Sequence, residues 1–148
     1  MVGITIFLLT IVTVHTHQTN IYKKIERQEE MLFYEEIMSV TDTLMLSEGY
    51  PQNWNSSNVQ VIGLASTPNN LNKTKVQRFL GLDYEKVKSG LGFGNKEFYF
   101  EMRNKTGIIG SVGNKDYNNS KTINTVNREG LMDGKKIKLS IIVWDRNE

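Results

Sequence analysis

The chain has 148 residues, no cysteine, two prolines and a formal charge of +2. That length allows one domain with a real core, and the missing cysteine excludes a disulfide framework and thiolate metal sites. The small charge, with no basic stretch interleaved with stacking aromatics, argues against a nucleic-acid surface. The charge is uneven. Residues 1–50 carry three basic and seven acidic side chains, residues 51–148 fifteen and nine.

Residues 4–47 contain neither glycine nor proline, which predicts one long helix. Its first part, residues 2–14, is uncharged and apolar except for Thr5, Thr10 and Thr13. Ile4, Ile6, Phe7, Leu8, Leu9, Ile11, Val12 and Val14 lie on every side of that part. They are the candidate residues for burial in lipid, as a membrane anchor, or among neighbouring helices. Thirteen residues reach about 20 Å against a hydrocarbon layer of about 30 Å. No basic residue precedes the run and no small-residue cleavage site follows it, so it reads as a mature terminus rather than a secretory signal.

From residue 21 to 46 the helix is charged but periodic. Ile25, Leu32, Phe33, Ile37, Val40 and Leu44 form the expected stripe, widened by Met31, Tyr34, Met38 and Met45. This stripe is expected to wall the core of a globular head. The chain then divides as a hydrophobic helix, residues 1–22, and a head, residues 23–148, that includes the rear of the helix.

Gly49 and Pro51 end the helix. A polar loop follows, in which Trp54 plugs the edge of a core. Residues 59–64 read as a short strand. Asn70 or Asn72 caps a helix that stops at Gly81, and Asp83 caps another that ends in the glycines 90, 92 and 94. Those glycines close a helix instead of opening one after a strand, so they form a turn and not a dinucleotide loop. Residues 96–103 alternate, with Phe98, Phe100 and Met102 on one face. Residues 121–132 and 135–144 are two strands joined by Asp133-Gly134, a strong hairpin signal. The predicted fold is α+β: a long N-terminal hydrophobic helix packing against a C-terminal, mostly antiparallel β-sheet head.

Nothing reads as an active site, and neither enzyme activity nor a cofactor is expected. His15 and His17 are the only histidines, and two residues apart they point to different sides of a helix. The head therefore holds no histidine to serve as base to a serine or threonine. Asparagine is frequent, with fifteen copies, and Asn55, Asn72, Asn104 and Asn118 stand in N-x-Ser/Thr sequons. These four are the candidate glycosylation sites, and Asn55 and Asn118 are the best placed, each in a polar loop.

Several stretches together resemble archaeal type IV pilin-like proteins, the class exported with a class III, prepilin-type signal peptide. They are the apolar helix, Gly49-Tyr50-Pro51 with Trp54 after it, and Ile62-Gly63-Leu64-Ala65 followed by Leu71-Asn72 and Lys75. The aromatic strand at Phe98-Tyr99-Phe100 and the closing Val143-Trp144 fit the same pattern. No glutamate stands near the fifth residue, where many bacterial pilins have one. The resemblance implies a lollipop-shaped structural subunit of an extracellular filament, a homo-oligomer of identical copies whose helices bundle in the core. It implies insertion in a membrane before assembly, location at the cell surface, and no nucleic-acid partner. N-linked glycans would coat the heads. The alternative is a minor pilin or adhesion domain anchored in the membrane that does not polymerise.

Overall fold

The computed structural model describes residues 2–118, 120 and 122–145, except for the side chains of residues 2, 3, 5, 6, 8 and 10. Helix α1 spans Val2–Leu46. It is followed by β1 (Ala65–Thr67), β2 (Asn70–Leu71), α2 (Lys73–Leu80), α3 (Tyr84–Leu91), β3 (Glu97–Asn104), β4 (Gly107–Gly113), β5 (Ile123–Met132) and β6 (Lys135–Trp144). The chain divides into two compact units, Met1–Tyr34 and Glu35–Glu148.

The first unit is helix throughout its described length. Nearly every side chain described in it is exposed, Phe33 being buried.

The second unit is α+β. Its six strands lie in the order β1-β2-β5-β6-β3-β4, and only the β2–β5 pair is parallel. Alternation along the central strands sends one set of side chains inward. Phe98 faces Val143, Phe100 faces Ile141 and Met102 faces Leu139, all fully buried. Phe79 of α2 meets Phe100 edge-on at 4.8 Å, and Phe93 lies 5.4 Å from Phe98. Ile37, Thr41, Leu44 and Met45 of α1 are buried in this unit. Asp133 and Gly134, with φ of 52° and 71°, make the tight turn between β5 and β6. The second face of β3 is not the open polar face that alternation implies. Tyr99 and Glu101 are buried there as well.

Two expectations need correction. The helical stripe does not run from Ile25: Ile25, Met31, Leu32 and Tyr34 are exposed, and the burial inside the second unit begins at Ile37. Leu32 and Ile37 are five residues apart, about 500° of rotation, so a helix cannot keep both at the centre of one face. Residues 59–64 also form no strand, only an isolated bridge between Val61 and Tyr50. The reason is where their hydrogen bonds go.

A helix leaves its last four carbonyls without partners. In α1 the segment after residue 63 supplies them. Leu64 N–H donates to Leu44 O at 2.9 Å, Ala65 N–H to Ser47 O at 3.0 Å, and Asn69 N–H to Met45 O at 2.8 Å. Lys75, 7% exposed, adds its ammonium to Glu48 O at 2.7 Å. The backbones approach so closely that a Cβ on Gly63 would sit 2.2 Å from Gly49 N and 2.4 Å from Ser47 O. Trp54, fully buried, closes the junction by donating Nε1–H to Gly63 O at 2.9 Å. Arg78 of α2 in turn donates to Trp54 O at 2.8 Å.

Gly63→Ala cannot be absorbed by a flexible side chain, since both neighbours are backbone. We expect it to destabilise the second unit by about 3 kcal/mol, and Phe100→Ala by about 3–5 kcal/mol. Denaturant unfolding followed by tryptophan fluorescence measures both, and a neutral Gly63→Ala would show that this junction is looser than described.

Candidate functional site: an exposed apolar helix

The front of α1 is built from apolar residues and threonines that carry no charge. Ile4, Phe7, Leu9, Ile11, Val12 and Val14 are all exposed, from 49% at Ile11 to 68% at Ile4. Ile4, Phe7, Ile11 and Val14 share one stripe and Leu9 and Val12 lie off it, so the apolar surface is wider than a single stripe. The side chains of Ile6 and Leu8 lie outside the described residues. The hydroxyls nearby are hidden within the helix. Thr13 donates to Leu9 O at 2.8 Å, Thr16 to Val12 O at 3.0 Å and Thr19 to His15 O at 2.9 Å. Each threonine thereby turns a methyl outward and needs no polar partner from whatever surrounds it.

The apolar surface continues past residue 22. Ile21, Tyr22, Ile25, Met31 and Leu32 are exposed too. Reading the second half of the helix as core of the head hid this, because a helical stripe looks the same whether a sheet or another chain covers it. Among the described residues no helix is long and apolar enough to cross a membrane. No group of three or more metal-ligating side chains occurs among them either.

The four sequons fall in separate places. Asn55 is exposed, its Oδ1 accepting from Ser57 N at 2.8 Å, and Asn118 is exposed in the loop after β4. Asn72 is half-buried and caps α2, accepting from Thr74 N at 3.0 Å and Lys75 N at 3.2 Å. Asn104, also half-buried, holds the β3–β4 turn by accepting from Thr106 N, Thr106 Oγ1 and Gly107 N.

No family model, curated protein or solved structure matches this chain. The functional reading therefore rests on the side chains themselves. Gly49, Trp54, Gly63, Leu64, Ala65 and Lys75 meet at the junction closing α1, where each has a packing or hydrogen-bonding task.

Two ionic groups in the second unit are better explained by stability than by chemistry. Tyr84 stacks on Phe98 with ring centroids 4.9 Å apart and donates its hydroxyl to Glu97, which Lys88 also holds at 2.8 Å. Burial, together with the Glu97 carboxylate, pushes the Tyr84 phenol well above its ordinary range. On the other sheet face Glu101 accepts from Arg103 Nε, from Tyr99 OH at 2.8 Å and from Lys115 Nζ at 3.4 Å. The Arg103 hydrogen bond, opposed by burial and helped by Tyr99 and Lys115, lowers the Glu101 carboxyl from 4.5 to about 2.

A carboxylate with a lowered folded pKa stabilises the fold above its unfolded value and loses that contribution as pH falls through the folded one. The stability gap between the wild-type chain and Glu101→Gln should accordingly close between pH 4.5 and about 2. Urea unfolding across that range checks this, and a gap independent of pH would contradict it.

Proposed function

We propose that the chain is a structural subunit of an extracellular, type IV pilus-like filament of the archaeal kind, polymerising through the front of α1. The observation that carries this reading is the exposure of apolar side chains over more than one face of residues 4–14. Such a helix is stable among neighbours that are themselves apolar, and identical copies in a non-closing arrangement provide them indefinitely. Every backbone hydrogen bond stays inside the helix, so moving from lipid to bundle leaves no group unpaired.

Length favours the bundle over an isolated anchor. The thirteen-residue run reaches about 20 Å of a bilayer core of about 30 Å, which would draw polar residues beyond His15 into lipid. A bundle of copies sets no such minimum. Insertion before assembly would accordingly be shallow. The second unit, with its own core, would form the outer surface.

The test is Ile11→Asp in the producing cell. A charge in a dry bundle costs several kcal/mol in each subunit. Filaments should vanish from sheared surface material while the second unit keeps its fold, shown by an unchanged unfolding transition. Filaments of normal abundance from this variant would overturn the proposal.

Glycans are proposed for Asn55 and Asn118, the two exposed sequons, where sugars would hydrate the filament surface. Asn72 and Asn104 should carry fewer, since their side chains are engaged in a cap and a turn. The intact mass of native protein decides: the bare-chain mass would remove the glycans from the account and leave the filament standing.

A further inference from the structure

Seven exposed apolar residues of the first unit follow a seven-residue repeat, in which two glutamines take the remaining places. Ile4, Ile11, Gln18, Ile25 and Leu32 fall seven apart, and Phe7, Val14, Ile21 and Gln28 fall between them. All nine are exposed. Alternating steps of three and four average 3.5 residues per turn, the spacing that keeps one seam facing a partner as helices supercoil. Phe7, Ile11, Val14, His15 and Gln18 outline a shallow, mostly apolar hollow on this seam, of the kind a knob from another helix fills. The far side, from residue 16 on, is polar: Thr16, Lys23, Glu26, Arg27 and Glu30.

Flanking charges say what the partner is. Lys24 precedes the Ile25 layer and Glu29 follows the Gln28 layer, the two positions that meet across a parallel, in-register pair. Two copies side by side oppose Lys24 of one to Glu29 of the other, while an antiparallel pair would bring like positions together. Gln18 and Gln28 favour the same register. Aligned, each meets its own kind and can exchange hydrogen bonds; staggered, each faces an isoleucine or valine and is buried unpaired. Isoleucine and valine occur in both seam positions, at Ile11 and Ile25 and at Val14 and Ile21, a choice that favours three strands over two.

We propose that residues 4–32 form a parallel, in-register, three-stranded coiled coil with two other copies of the chain. This association uses residues that the filament reading also uses, but it needs no polymerisation, and the two are tested separately.

The full chain contains no cysteine, so single substitutions report cleanly. In mild non-ionic detergent, Gln18→Cys should cross-link rapidly between copies under a weak oxidant, and Lys23→Cys, on the outer face, slowly. Sedimentation should give three times the chain mass. Lys24→Glu and Glu29→Lys should each weaken association about tenfold, and the double exchange should restore it. Restoration is the decisive result, because a general loss of helix would not be rescued by a second charge reversal. A monomeric chain, equal cross-linking at 18 and 23, or a double exchange no better than either single one would overturn the proposal. Filament loss in Ile11→Asp is scored separately, so cross-linking at 18 with no filaments in wild-type material would remove the filament reading and keep this one.

Discussion

The structure depends on how the last carbonyls of α1 find donors. A long helix that ends against a sheet buries those carbonyls, and each left unpaired would cost about 1–3 kcal/mol. The chain solves this by laying residues 64–69 across the helix end, so that Leu64, Ala65 and Asn69 donate to it. That arrangement dictates the rest of the junction. Residue 63 must be glycine, because the backbones touch. Trp54 must reach back to Gly63 O, and Lys75 must be buried beside Glu48 O. It also places β1 and β2 where they can extend the sheet, with β2 pairing parallel to β5.

The helix itself serves two environments in turn. From Ile37 onward its buried positions belong to the core of the second unit. Side-chain pairs add to this: Asp42 with Arg128 of β5, and Glu36 with Lys96 at the start of β3. Before Tyr34 the described apolar residues other than Phe33 are left to solvent. Residues of the same type thus mean opposite things along one helix. An isoleucine at 37 closes a fold, and an isoleucine at 25 is available to another molecule.

This is where sequence reading succeeded and where it stopped. The Asp83 cap was legible, because it uses local geometry that the sequence contains in full. The cap of α2 was legible only as Asn70 or Asn72; Asn72 fills it, and Asn70 belongs to β2. The β5–β6 hairpin was legible from its turn residues, as were the inward residues of β3. The segment 59–64 was not. Its alternation looked like a strand, but its neighbours are a helix end and Tyr50, partners distant in sequence. The burial of Glu101 was equally hidden, since it depends on Arg103 and Lys115 meeting over Tyr99. The apolar front of the helix was legible as a surface needing company; which company is a question of assembly that one chain's pattern addresses only through its charges and its repeat.

The proposed filament has residues 4–14 in its interior. Cryo-electron microscopy of filaments sheared from producing cells should then show helical density continuous along the filament axis and filled by residues 4–14, with the sheet-bearing units on the outside. Filaments built through the sheet units, with the apolar helices projecting into solvent, would contradict it.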